Sequence, residues 1–464
     1  MEGLRSPSPA SGGPVAGPLP RRTTVVVTWS RFVHRTSPVE WPLNRFDALL
    51  VAQTYPGRPM TTHHTLELDR PPALDRWVRA LEQLVDDYPE LSSRVVGSVR
   101  ARRIVLAPDR SAIRARVIHE HDGSPLALER WLAEPIDPRS ELPFRVRVGP
   151  AQDAEQAITL SLHHSVADGV GALALFDRLL ALAGGGPVRP RRSAPFGGHR
   201  DAERPPLRRL WAKLEQLRRP AAQLIDLGDS QASGQHLALR RIDPSIWGSL
   251  GRLTRAAGVS RTTALWHAVA TVAARQRVDD PGLPLRVLAG VDLRAQLGVC
   301  DDALGNWLGT LEHEHPVHDG PESWAQLHAA LLDARKPEHA VLTPALLSAS
   351  VGRLPSPLAR AVFRHLDSDA WPSPFSLLLA HIRPREGRCW PLALCPRRLW
   401  CASTLPRKPG LGLTFTTVGD RVHVAATCQA GVLRRARTGD RAARRESARA
   451  SRVAAAQWVA GSHA

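Results

Sequence analysis

The stretch that most constrains this chain is residues 157–182, where an apolar strand gives way to an apolar helix across one short loop. Ala157 to Leu162 is an apolar run of strand length, and Val170 to Leu182 is strongly apolar over helical length. Gly184-Gly185-Gly186 closes that helix. The loop between them reads HHSVADG, His163 to Gly169. A strand-to-helix junction is where side chains emerge at a cleft while the flanking elements hold them still. Histidine in such a place removes a proton near neutral pH. Asp168 is placed either to orient a ring or to anchor the loop through an arginine. Gly169 suits a position needing positive φ or close backbone approach.

Charge gives a first alternative to weigh. Lys and Arg number 62 against 44 Asp and Glu, a net charge of +18 and a pI near 11.2, which taken alone suggests a polyanionic partner. Lysine occurs only at Lys213, Lys336 and Lys408, however, and the arginines are spread over the whole chain. A GC-rich coding bias accounts for that pattern, and no recognition motif accompanies the charge. Nucleic acid is therefore not the expected partner. Five cysteines, an odd number without a CxxC pair, argue against a disulfide framework and for a reducing compartment. No apolar run approaches the roughly 18 residues of a membrane span, and Val25 to Val27 is too short for a signal-peptide core. The expectation is a cytoplasmic protein. The polar cluster Glu312, His313, Glu314 and His315 reads as a strand end, with no metal expected, and the pair His63-His64 reads as strand residues.

The chain divides by composition. Residues 1–38 are Pro/Gly/Ser-rich and expected to be a disordered leader. Residues 39–185 form a first folded region, with a strand at Thr62 to Leu68 and a helix at Pro72 to Tyr88. Strand-like runs follow at Arg103 to Ala107, Ala115 to His119 and Phe144 to Val148. Residues 186–232 read as a linker and a basic helix, Leu207 to Leu227, with Leu210, Trp211, Leu214 and Leu217 on one face. Such a helix either lies on an anionic membrane surface, a peripheral contact, or bridges two regions with its basic face in solvent. Residues 233–432 repeat the mixture, including a strand at Leu285 to Val291 and a hairpin from Gly410 to Thr427. Residues 433–464 are an Arg/Ala-rich tail.

HHSVADG resembles the HHxxxDG motif of the CoA-dependent acyltransferase superfamily, which includes chloramphenicol acetyltransferase, condensation domains, polyketide-associated acyltransferases and wax ester synthase/diacylglycerol acyltransferases. The surroundings resemble it too, in order along the chain: WPLNRFDALL from Trp41, DDYPELSSRVVG from Asp86, ELPFRVRV from Glu141, PLRVLAGVDLRAQL from Pro284, ALGNWLGTL from Ala303 and GLGLTFTTVGDRVHV from Gly410. The resemblance implies an α/β (α+β) fold of two chloramphenicol-acetyltransferase-like lobes with a central tunnel. It implies His164 as general base, taking a proton from a hydroxyl or amine acceptor that attacks the thioester of an acyl-CoA or acyl-carrier protein. No cofactor is expected beyond that CoA or phosphopantetheine co-substrate. The family forms no acyl-enzyme, and no GxSxG elbow occurs here. Asp168 is implied to be structural, with Arg294 as its partner; Gly169 keeps the turn tight; His163 is a buried support. Asn306 either shapes the tunnel and helps hold an oxyanion or is a turn residue.

Departures are equally visible. Ala380-His381 stands where lipid-handling members carry Ser-Asn, the plant-type DFGWG is missing, and the tail lacks an apolar final helix. The expected activity is an acyltransferase, alcohol acceptors preferred, working as a monomer. A freestanding amide-forming condensation enzyme and a degenerate, non-catalytic binding protein are the alternatives.

Overall fold

The structure, a computed structural model, describes residues 39–429 with internal interruptions, the longest being 193–206, 222–234 and 384–393. The expected leader and tail lie outside the described residues.

In chain order the strands are β1 (Val39–Pro42), β2 (Thr61–Leu68), β3 (Ser93–Val96), β4 (Arg102–Val105), β5 (Val117–His119), β6 (Phe144–Gly149), β7 (Gln156–His163), β8 (Gln235–Ile242), β9 (Leu285–Asp292), β10 (Leu308–His315), β11 (Leu377–Ile382), β12 (Pro396–Ser403), β13 (Leu411–Val418) and β14 (Arg421–Gln429). The helices are α1 (Arg45–Gln53), α2 (Leu74–Asp87), α3 (Arg110–Arg114), α4 (Pro125–Ala133), α5 (Gly169–Gly184), α6 (Leu207–Arg218), α7 (Pro244–Ala256), α8 (Arg261–Arg275), α9 (Arg294–Leu297), α10 (Pro321–Ala334) and α11 (Ser356–Asp367).

Two large sheets carry the architecture. The first has the order β12-β2-β7-β6-β5, antiparallel except for β5 beside β6. Its side chains alternate between faces, as the strand period requires. Leu66, Leu68, Ile158, Leu160, Leu162, Phe144, Val146 and Val148 meet Trp77, Leu81 and Leu84 of α2 and Leu173, Phe176 and Leu180 of α5 in one buried core. The other face is polar yet buried, with His63, Thr65, Thr159, Ser161, Arg145 and Arg147 all nearly inaccessible. Cross-strand hydrogen bonds satisfy part of it: Thr65 Oγ1 to Thr159 Oγ1 at 2.7 Å and His63 Nδ1 to Ser161 Oγ at 2.8 Å.

The second sheet has the order β10-β9-β11-β13-β14-β8, with β11 parallel to both its neighbours. Trp247 of α7 and Trp266 and Val269 of α8 pack on Val287, Leu379, Phe415 and Val424 of its strands. A small antiparallel sheet, β1-β4-β3, completes the set.

Three expectations need correction. The basic helix ends at Arg218, not Leu227, because Pro220 disfavours helical backbone at the residue before it; residues 222–227 lie outside the described residues. Ala115 caps α3 in helical backbone, so the strand expected from Ala115 starts at Val117. The contiguous division at residues 232 and 233 is crossed by β12, which pairs with β2 from Pro396 opposite Leu68 to Ser403 opposite Thr62. The second half of the chain thus supplies an edge strand to the sheet of the first, with Trp400 and Cys401 buried there. Among the described residues no helix is long and apolar enough to cross a membrane.

Candidate active site

The site is assembled where β7 ends. Along Ser161 to Asp168 every residue is buried except His164, which is partly exposed. Position in the strand explains this: His163 is the last strand residue, paired with Thr61, and the chain turns immediately after it.

The two histidines are held in opposite tautomers. The Ser165 backbone N–H donates to His163 Nδ1 at 3.1 Å, so that nitrogen is an acceptor. His163 Nε2 then donates to Thr54 Oγ1 at 2.7 Å, and Thr54 in turn donates to Leu50 O in α1. Burial, reinforced by the neighbouring His164 and by the positive charges of Arg103 and Arg139, holds His163 well below the usual histidine range. It is a neutral strut, fastening the loop to α1.

For His164 the logic reverses. Asn306 Nδ2 donates to Asp47 Oδ1 at 2.6 Å and to the His164 carbonyl at 2.7 Å. Both acceptors are oxygens that need a proton, which fixes the amide orientation. Asn306 Oδ1 therefore faces His164 Nδ1, at 2.8 Å, and the ring nitrogen must be the donor. In the neutral ring the proton therefore sits on Nδ1 and Nε2 carries the lone pair, the form a general base requires.

Asp168 caps α5. Its Oδ1 accepts from the backbone N–H groups of Val170 and Gly171 and from Arg294 at 2.9 Å; its Oδ2 accepts from the Trp307 N–H at 2.8 Å. Helix caps of this kind satisfy donors the helix itself leaves open. The Asp168–Arg294 pair is fully buried on both sides. Burial disfavours the charge on Arg294, yet Asp168 and Asp292 outweigh it and hold its pKa above the ordinary value. Arg294 also donates to Ala303 O at 3.0 Å. The GNW turn is stitched to the loop by Asp168 N–H to Gly305 O and Gly305 N–H to Val166 O. Gly305 has φ of 101°, a conformation that favours glycine.

Gly169 serves close approach, not positive φ. A Cβ there would lie 2.9 Å from Ile382 Cδ1, at the end of β11. Gly171 is equally constrained, since a Cβ would meet Arg294 at 3.2 Å and Ala303 O at 3.3 Å. All six residues singled out from sequence, His163, His164, Asp168, Gly169, Arg294 and Asn306, thus fall in one contiguous cluster joining the two sheets.

Sequence reasoning missed Asp47, Thr54, Ser165 and Gly171. Asp47 had a readable signal. Asn44 and Asp47 stand three apart at a helix start, and Asn44 indeed caps α1, accepting from the Asp47 N–H at 2.7 Å. Burial pushes the Asp47 carboxyl up to about 7, despite Arg103 and the amides of Asn306 and Asn44. His381, standing in the second sheet where Ser-Asn was the comparison, accepts or donates at Thr262 and Thr417, 2.9 and 2.8 Å away, with Arg383 against it. It forms no part of this cluster. Glu312 to His315 lie in β10. A cavity of about 490 Å³ between β2, β8 and β12 is lined by Glu67, Arg147, Arg241, Arg398 and Trp400 among others, and none of its lining residues belongs to the histidine loop.

Solved structures share this arrangement of lobes. The first condensation domain of the calcium-dependent antibiotic synthetase, in complex with a substrate analogue, superposes with a TM-score of 0.60 at 19% identity, covering 85% of this chain and 92% of that one. The fold is that of a condensation domain. Polyketide synthase associated protein 5 from Mycobacterium tuberculosis has a TM-score of 0.54 at 15% identity, over 88% of this chain and 97% of that one. The condensation domain of the monacolin K polyketide synthase MokA has a TM-score of 0.56 at 14% identity, over 85% and 93%. No family model matches the chain, and no curated protein does. At these identities the condensation-domain likeness concerns the fold, so the chemistry must be argued from this chain's own residues.

Proposed function

We propose that this protein is an acyltransferase that moves an acyl group from a CoA or carrier-protein thioester to a hydroxyl or amine, with His164 as the general base. The observation that carries the reading is the hydrogen bond between His164 Nδ1 and Asn306 Oδ1, which gives the neutral ring its bare nitrogen at Nε2, on the one partly exposed residue between Ser161 and Asp168. In the proposed step Nε2 takes the acceptor's proton as its oxygen or nitrogen attacks the thioester carbonyl. The tetrahedral intermediate then expels the thiolate, and the same Nε2 returns the proton to the sulfur. No protein nucleophile takes part, so donor and acceptor meet at the base together, in the tunnel that the resemblance implies between the lobes.

The test is thiol release from acyl-CoA and acyl-carrier protein in the presence of alcohols and of amines. His164→Ala is expected to lower turnover by about 10²–10⁴-fold, the range for a positioned base, while the protein stays folded. Turnover intact in that variant would remove His164 from the chemistry. The condensation domains of peptide synthetases among the solved structures favour an amine acceptor as the second reading. Amide formation without ester formation in the same assay would select it. No thiol release with any donor would favour a non-catalytic binding role.

A further inference from the structure

We propose that Asp47 is a positioning residue for His164, acting through Asn306 to hold the imidazole in the Nδ1–H tautomer with Nε2 bare. The inference rests on the reading of His164 as the base and adds what keeps that base in its working form.

Asn306 is a relay with two possible orientations, and its ring-facing atom decides the histidine tautomer. If Oδ1 faces the ring, Nδ1 donates and Nε2 is free to accept. If Nδ2 faces the ring, Nδ1 must accept and the proton moves to Nε2, where it blocks the base. The choice is made by the acceptors on the far side of the amide. Two exist: Asp47 Oδ1 at 2.6 Å and the His164 carbonyl at 2.7 Å. The carbonyl alone is a single neutral acceptor. The carboxyl oxygen adds the shorter of the two contacts and, when ionised, the charge-assisted one.

Asp47 is itself clamped. Asn44 donates to its Oδ2 at 2.7 Å and accepts from its backbone N–H at 2.7 Å, so the first turn of α1 fixes the carboxyl from behind. Arg103 attracts it and Asp168 opposes its charge. Arg103 is tied to the histidine loop, donating to Ser165 O at 2.8 Å. Asp47 is 5% exposed and Asn306 1%, so neither amide hydrogen has water as a ready substitute partner. The arrangement has the logic of a carboxylate that orients a catalytic imidazole, with an amide interposed to pass on direction but no proton. It also gives the charge that develops on the ring a dipole, and beyond it a carboxylate, aimed at Nδ1–H.

The experiment uses the full chain labelled with ¹⁵N-histidine, the His164 signals being assigned by their loss in His164→Gln. Wild type is expected to show the Nδ1–H tautomer at His164. Asp47→Ala is expected to lose that single-tautomer signature and to lower kcat by about 10- to 100-fold with little change in KM, less than loss of the base itself. Asn44→Ala weakens the same helix start but leaves the relay, and is expected to keep the wild-type tautomer. If Asp47→Ala does not fold, Asp47→Asn serves, because its NH₂ must oppose the amide of either Asn44 or Asn306 and is expected to leave His164 in mixed tautomers. Persistence of the Nδ1–H form alone in a folded Asp47 variant would overturn the proposal. The spectra need no substrate, so the two ideas fail separately. A tautomer change without any acyl transfer in wild type leaves the positioning role standing and sinks the function. Acyl transfer that needs His164, with a tautomer indifferent to Asp47, does the reverse.

Discussion

Two adjacent histidine pairs lie on neighbouring strands of the first sheet and meet opposite fates. His63-His64 sits in the middle of β2, His63 opposite Ser161 and His64 opposite Leu160. His163-His164 straddles the end of β7. In β2 one ring enters the polar face and the other points into the core, where His64 Nδ1 meets Cys401 Sγ at 3.0 Å. Burial lowers both to about 3, and both are fully inaccessible. In the second pair only His163 is swallowed. His164 escapes because the strand stops, and a buried seam holds the loop open around it. The dipeptide carries no chemistry of its own; the place where the strand ends supplies it.

The sharpest way to break that comparison is to cut the seam. Arg294 contacts Asp168, Asp292 and Ala303 O from complete burial. Removing one partner of a buried pair leaves an uncompensated charge, at about 3–5 kcal/mol. Arg294→Ala is therefore expected to lower the urea unfolding free energy by that amount and to abolish activity with it. Asp168→Ala removes the α5 cap as well, and its loss should be of the same size. If both variants unfold like wild type, the seam does not hold the loop, and the contrast between the two pairs loses its cause.

The second prediction concerns protons. His63, His64 and His381 are lowered to about 3 and His423 to about 4, and His163 lies well below its usual range. The unfolded chain takes a proton at each near 6.5. The folded chain refuses it, so this stability is present in full above that pH and is lost as pH falls from about 6.5 toward the folded values. Each histidine contributes a slope of about 1.4 kcal/mol per pH unit in that window. Asp47 works in the other direction, its folded pKa of about 7 lying above the unfolded value, but it is one group against five. Urea midpoints are expected to drop steeply below about pH 6. His64→Leu should flatten the slope by about one proton and leave acyl transfer intact. An unchanged slope, or a loss of activity like that of His164→Ala, would erase the distinction between the pairs.

These contrasts also show where the sequence was informative. Strands β2, β6 and β7 and helices α2 and α5 were legible because their apolar residues repeat at two or at three and four. The loop and its partners Arg294 and Asn306 were legible through motif resemblance, since no periodicity links residues 126 or 142 positions apart. What stayed hidden has physical reasons. Asp47 looked like an ordinary helix-start acid, and its meeting with Asn306 depends on how α1 crosses the second half of the chain. The placement of β12 in the first sheet is a tertiary pairing that PRRLWCAS does not announce, because either sheet could have taken an edge strand with one polar end. The basic helix stops at Arg218, short of Leu227, because Pro220 disfavours helical backbone at Arg219.

The smallest effect tests how closely the loop is fitted. Gly169 is the first residue of α5, where alanine would gain about 0.4–1 kcal/mol over glycine by restricting the unfolded chain. Against that, its Cβ would stand 2.9 Å from Ile382 Cδ1. That atom is the far end of a side chain on β11, so it can swing aside at modest cost, where backbone could not. Gly169→Ala alone is expected to fall within about 1 kcal/mol of wild type. Ile382→Val removes the opposing methyl at about 0.5–1.5 kcal/mol. In the double variant the two effects should not add, leaving it about 0.5–1 kcal/mol more stable than the sum of the singles predicts. Simple additivity in urea unfolding would mean that β11 does not bear on the start of α5. The second half of the chain would then hold the His164 loop through the Arg294 seam and the Asn306 turn.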